Sequence, residues 1–200
     1  MINDSLPQIT PMNVANSAID GLKIITMKQI EEDRGVIREF YRESAFGDAG
    51  VEIQNSWKQI NATETRQGGI RGLHAESMQK LVAVVYGEAF GVYADVRPDS
   101  PTRGKVVTVK LTKGTQVLVP KGVCNGFQSV NEGMGQYIYC FDTEWAKGMP
   151  GYSMNPLDPD LGIEWPIPVT TEDTHLVSRK DASAPSFKEA LELAKKNPMS

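Results

Sequence analysis

Lys80-Leu81-Val82-Ala83-Val84-Val85-Tyr86, closed by Gly87-Glu88, is a β-branched apolar run. In the next segment Phe90, Val92, Ala94 and Val96 alternate with Gly91, Tyr93, Asp95 and Arg97, until Pro98-Asp99-Ser100-Pro101 breaks the pattern. A period of two is expected of a strand with one buried face. Working outward, strands are predicted at Lys105 to Leu111, with Val107, Val109 and Leu111 on one face, and at Thr115 to Val119, Phe127 to Val130 and Gln136 to Asp142. Turn signals at Thr112-Lys113-Gly114, Pro120-Lys121-Gly122 and Asn131-Glu132-Gly133 separate them. The gaps are too short for crossover helices, which excludes a parallel architecture. Short strands at this spacing predict an all-β sandwich or closed barrel.

Outside this region, residues 1–30 lack a clean period, with one candidate strand at Gly21 to Met27. Met149 to Pro168 is rich in Pro and Asp and reads as an ordered loop anchored by Trp165. One helix is predicted at the end: Ser186 and Glu189 fit a capping box, and Phe187, Ala190, Leu191 and Ala194 share a face until Asn197-Pro198. There is no internal repeat or linker. The expected organisation is a single domain over 1–200, with 1–30 an N-terminal extension and 149–200 a C-terminal loop and helix.

Composition narrows the function. The 200 residues carry 21 Lys+Arg against 25 Asp+Glu, a formal net charge of -4, with no basic stripe. Nucleic-acid binding is therefore not expected, since neutralising phosphates needs a clustered Lys/Arg excess. Two Cys and two His are too few for a disulfide framework, and they lead us to expect no metal site. The polar, Pro-interrupted N-terminus does not read as a signal peptide, and no apolar run approaches the roughly 20 residues of a membrane span. A cytoplasmic protein is expected, with Cys124 and Cys140 reduced.

Three side chains stand out. His74, at a strand end in Arg71-Gly72-Leu73-His74, reads either as a hydrogen-bonded structural residue or as a base. Lys80 opens the apolar strand, where it either reaches solvent or points inward to meet an anion or developing negative charge. Tyr137, Tyr139 and Phe141 share a strand face, as a core stripe would. In a closed barrel His74, Lys80 and Tyr139 could converge on one cavity. That set suits proton removal beside a carbonyl, with the Lys stabilising an enolate and the Tyr handling a second proton. His175, in a polar stretch, reads as a surface residue.

The ordered series Arg71-Gly72-Leu73-His74, Lys80-Leu81-Val82, Asp95-Val96-Arg97 with Ser100-Pro101-Thr102 and Gly104, Val119-Pro120-Lys121-Gly122 into Gly126-Phe127, and Gly162-Ile163-Glu164-Trp165-Pro166 resembles the dTDP-4-dehydrorhamnose 3,5-epimerase family. The resemblance runs from about Arg34 to Pro185. It implies a cupin-type jelly roll, a homodimer, and an activity needing neither metal nor organic cofactor. It places His74 as the catalytic base, Asp181 as the carboxylate that orients and polarises it, Lys80 near the substrate C4 oxygen and Tyr139 as the acid on the opposite sugar face. Arg34, Glu39, Gln59, Asn61 and Arg71 match substrate-contacting positions, and Lys180 a phosphate binder. Two positions depart from the pattern. Asn125 stands where many members carry a His, so its role must be polar positioning and not proton transfer. Trp145 replaces a common Tyr and is a candidate stacking surface for sugar or thymine.

The resemblance implies a nucleotide-sugar substrate and epimerisation of C3 and C5 of dTDP-4-dehydro-6-deoxy-D-glucose. A C3-only epimerase of a dTDP-4-keto-deoxysugar would share these residue types. A cupin-like module that binds the nucleotide sugar without turnover is the alternative kept open by Asn125, although binding alone gives no reason to set a base against an acid across a sugar. A metal-dependent cupin ranks last.

Overall fold

The computed structural model of the chain describes residues 6–199. The first five residues of the polar N-terminal stretch, and the last residue, lie outside the described residues. In chain order the strands are β1 (Gln8–Thr10), β2 (Asn13–Asn16), β3 (Lys23–Thr26), β4 (Lys28–Glu32) and β5 (Gly35–Glu39). After a short helix α1 (Glu43–Asp48) come β6 (Gln59–Arg66), β7 (Ile70–Glu76), β8 (Lys80–Tyr86), β9 (Ala89–Asp95) and β10 (Val106–Leu111). Then follow β11 (Thr115–Val119), β12 (Val123–Ser129), β13 (Met134–Phe141), β14 (Gly151–Ser153), α2 (Arg179–Ala182) and α3 (Phe187–Lys196).

Two antiparallel sheets face each other as a jelly roll, ordered β10-β9-β12-β7-β14 and β2-β3-β11-β8-β13-β6. Between them Val82, Val84, Tyr93, Val117, Phe127 and Tyr137 form the barrel interior. Phe127 and Tyr137 stack there, with ring centroids 4.0 Å apart. A separate three-stranded sheet, β1-β4-β5, is built from the N-terminal region.

Several expectations are corrected. The alternation in β9 does not mark one buried face, because both faces are covered. Val92 and Ala94 pack outward under Phe187, Ala190 and Ala194 of α3, while Tyr93 fills the barrel. The strand expected from Phe127 begins at Val123, straight after the Pro120-Lys121-Gly122 turn. Between residues 6 and 30 the candidate strand at Gly21 to Met27 is β3, and more strands surround it than its sequence signals: β2 and β3 join the larger sheet, and β1 pairs with β4. The 149–168 loop contains β14, and its Trp165 Nε1 donates to the Pro156 carbonyl at 3.0 Å. α3 matches the expected helix, with the Ser186/Glu189 capping box formed. It is joined by α1 and α2, both too short for a periodic signal.

Candidate active site

The two sheets meet the solvent in a cavity of about 270 Å³ whose lining includes His74, Glu76, Lys80, Asn125, Tyr139 and Trp145. A larger hollow of about 790 Å³, near Tyr41, Phe46 and Gln79, has neither histidine of the chain in its lining. The smaller cavity is the one that gathers His74, Lys80 and Tyr139.

Strand parity explains who points in. Lys80 has the parity of Val82 and Val84, so its side chain enters the interior while Leu81 packs on the opposite face. This settles the two readings of Lys80: it is inward and only 4% exposed. Tyr139 shares its parity with Tyr137, and the two rings lie 4.8 Å apart. From the same larger sheet Gln59 and Asn61 of β6 also line the cavity, linked by Gln59 Nε2 donating to Asn61 Oδ1 at 3.1 Å.

His74 lies within β7, not at a strand end, with Leu73 and Ala75 directed into the outer core under α3. Arg71 is three residues away and in a regular strand would face the other side. The pairing prevents this: Asn125 faces His74 while Phe127 faces Arg71, so β7 carries one extra residue there. This bulge returns Arg71 to the cavity side. Gly72 sits in it at φ +114°, and a Cβ would come within 2.7 Å of the Asn125 carbonyl and the Gly126 Cα. Arg71 Nε donates to Thr65 Oγ1 at 2.8 Å.

Asp181 does not line the cavity. It stands behind His74, its Oδ1 2.6 Å from His74 Nε2, and Ser178 Oγ donates to its other oxygen at 2.8 Å. Burial pushes this carboxyl up, but the hydrogen bonds from His74 and Ser178 outweigh it and hold the group below the ordinary aspartate value. A carboxylate on Nε2 fixes the ring with Nδ1 left free as the acceptor. Lys80 Nζ donates to Asn125 Oδ1 at 2.8 Å and to the Glu76 carboxylate. Burial pushes the Tyr139 phenol up to about 12, so it stays protonated at neutral pH.

Three expected site residues are not brought to this cavity within one chain. Arg34, 88% exposed, pairs with Glu32 on the β4–β5 hairpin, and Glu39 pairs with Arg42. Lys180 is exposed on α2, near Asp181. Trp145 does line it, with its backbone N–H donating to Gln59 Oε1 at 2.8 Å. His175 is exposed. Glu76 was missed by sequence reasoning, although its place four residues before Lys80 was a usable signal. Among the described residues no three His, Cys, Asp or Glu are grouped as for a metal ion, and no helix is long and apolar enough to cross a membrane.

The model of the dTDP-4-dehydrorhamnose 3,5-epimerase family matches residues 16–189. The chain belongs to this family. A dTDP-4-dehydrorhamnose 3,5-epimerase of Salmonella typhimurium is 32% identical over 186 residues, 90% of this chain and 98% of that protein. A dTDP-4-dehydro-6-deoxyglucose 3-epimerase of Streptomyces bikiniensis is 30% identical over 163 residues, 78% and 79% of the two chains. A crystal structure of dTDP-6-deoxy-D-glucose-3,5-epimerase from Legionella pneumophila, in complex with dTDP-4-keto-L-rhamnose, matches with TM-score 0.79 and 33% identity, covering 89% of this chain and 94% of that one. The jelly roll is thus the family's cupin-type fold, and the chain is an isomerase.

Proposed function

We propose that this epimerase inverts C3 and C5 of dTDP-4-dehydro-6-deoxy-D-glucose, giving dTDP-4-dehydro-L-rhamnose without a cofactor. The observation that carries this reading is the His74–Asp181 pair at 2.6 Å, on a cavity that Lys80 and Tyr139 enter from the facing sheet. C3 and C5 both flank the C4 ketone, so one carbonyl acidifies both protons and one base can serve both centres. His74 Nδ1 takes the proton, Asp181 stabilises the imidazolium, and Lys80 holds the enolate oxygen. Tyr139 then gives its proton to the opposite face of the carbon, which inverts it, and before each further inversion the His74 imidazolium releases its proton to solvent and the Tyr139 phenolate regains one.

Gln59, Asn61, Arg71, Asn125 and Trp145 are the binding residues of this reading, with Lys180 at the nucleotide phosphates. Arg34 and Glu39 would reach substrate across a homodimer, from the hairpin of one subunit to the cavity of the next. A cytoplasmic setting is part of the same proposal.

The test is NMR of the substrate incubated with enzyme in deuterated water. Deuterium is expected at both C3 and C5; no exchange at either position would sink the proposal. Exchange at C3 alone would establish the second reading, a mono-epimerase, which the similarity to the Streptomyces bikiniensis 3-epimerase supports.

A further inference from the structure

The Lys80 ammonium has three N–H bonds. It has three acceptors: the Glu76 carboxylate, Asn125 Oδ1 at 2.8 Å and the His74 carbonyl at 3.4 Å. All its donors are therefore engaged before any substrate arrives. If Lys80 is to hold the C4 oxygen, as the function proposed above requires, the substrate must replace one of these partners. The His74 carbonyl is fixed in the middle of β7, and Asn125 is buried in β12 between β7 and β9. Glu76 is the last residue of β7, with a flexible side chain still 21% open to solvent.

We propose that Glu76 is a positioning residue, a displaceable counter-ion that keeps the buried Lys80 paired and aimed into the cavity until the substrate ketone takes its place. An unpaired ammonium at this depth would be destabilising. The carboxylate removes that penalty in the empty cavity, and it competes with the ketone for the same N–H. A carboxylate left on Lys80 would also oppose the enolate charge that Lys80 is there to stabilise. Its departure toward solvent therefore serves both binding and chemistry.

The inference rests on the reading of Lys80 given above, and its test separates the two. Steady-state kinetics of Glu76→Gln with dTDP-4-dehydro-6-deoxy-D-glucose should show KM lowered by roughly three- to tenfold, because a neutral amide competes less well than a carboxylate for Lys80. The change in kcat should be smaller, and the affinity for dTDP alone, which carries no ketone, should match the wild type. Thermal unfolding checks the fold. Glu76→Asp, one methylene shorter, should give an intermediate KM, and it decides the matter alone should the Gln variant fail to fold. An unchanged or raised KM in a folded variant with normal dTDP binding would overturn the counter-ion role and leave the epimerase reading standing. Wild-type enzyme that exchanges neither C3 nor C5 would remove both.

Discussion

Asp181 carries two opposed effects: desolvation raises its pKa, and the hydrogen bonds from His74 and Ser178 lower it further than burial raises it. The net depression fixes a sign. The stabilisation it contributes is fully present above the unfolded-state value and is lost as pH falls through the lower folded value. Asp181→Asn should therefore unfold at a lower temperature than wild type at pH 7, with the gap closing as the solution is acidified below the ordinary aspartate range. The same variant should lose kcat by about a hundredfold or more, since the base then lacks its orienting anion. Thermal melts across acidic pH and steady-state assays check the two effects. A constant melting gap at all pH values would contradict the sign. Of the four catalytic candidates, Lys80 stood out because it opens an apolar strand, but the inward and solvent-reaching readings stayed open until its burial decided between them. Asp181 did not stand out, because nothing local ties it to a histidine 107 residues away; only the family resemblance pointed to it.

Among the elements, β7 shows most clearly how backbone irregularity builds the site. Its extra residue opposite Asn125 and Phe127 puts Arg71 and His74 on one face, which their spacing alone forbids. Gly72→Ala would place a Cβ against backbone atoms at 2.7 Å in a positive-φ conformation. We expect a loss of at least about 2 kcal/mol in stability, with activity lost beyond what the melting shift explains, because the two side chains would be re-aimed. Denaturant unfolding and assay of the soluble fraction test this; wild-type values for both would contradict it. The element signals in the sequence were uneven for a physical reason. α3 was legible to the residue because capping and amphipathic spacing are local. β6 and β7 were not, because polar cavity-lining residues such as Gln59, Asn61 and His74 replace the apolar alternation that marks a strand.

The whole molecule presents one feature that a single barrel leaves unused. In the three-stranded sheet Ile9 faces Ile30 and Ile30 faces Ile37, an apolar row on which Ile9 and Ile37 are 61% and 59% exposed. A second subunit is the natural cover for such a row. Light scattering at micromolar concentration should give twice the chain mass, and Ile37→Lys should shift the population toward monomer; a monomeric wild type would contradict the homodimer. Loss of activity alongside the Ile37→Lys dissociation would agree with Arg34 and Glu39 acting across subunits. The sequence alone was enough to determine an antiparallel all-β chain with a capped terminal helix, because period, turn residues and caps act over a few neighbours. It also held, in ordered motifs, the family resemblance. Only the tertiary structure decided that both faces of β9 are buried, that Arg71 joins His74, and that Glu76 and Asn125 occupy the donors of Lys80. These depend on which strands meet across the barrel, and long-range packing is not encoded in any local pattern.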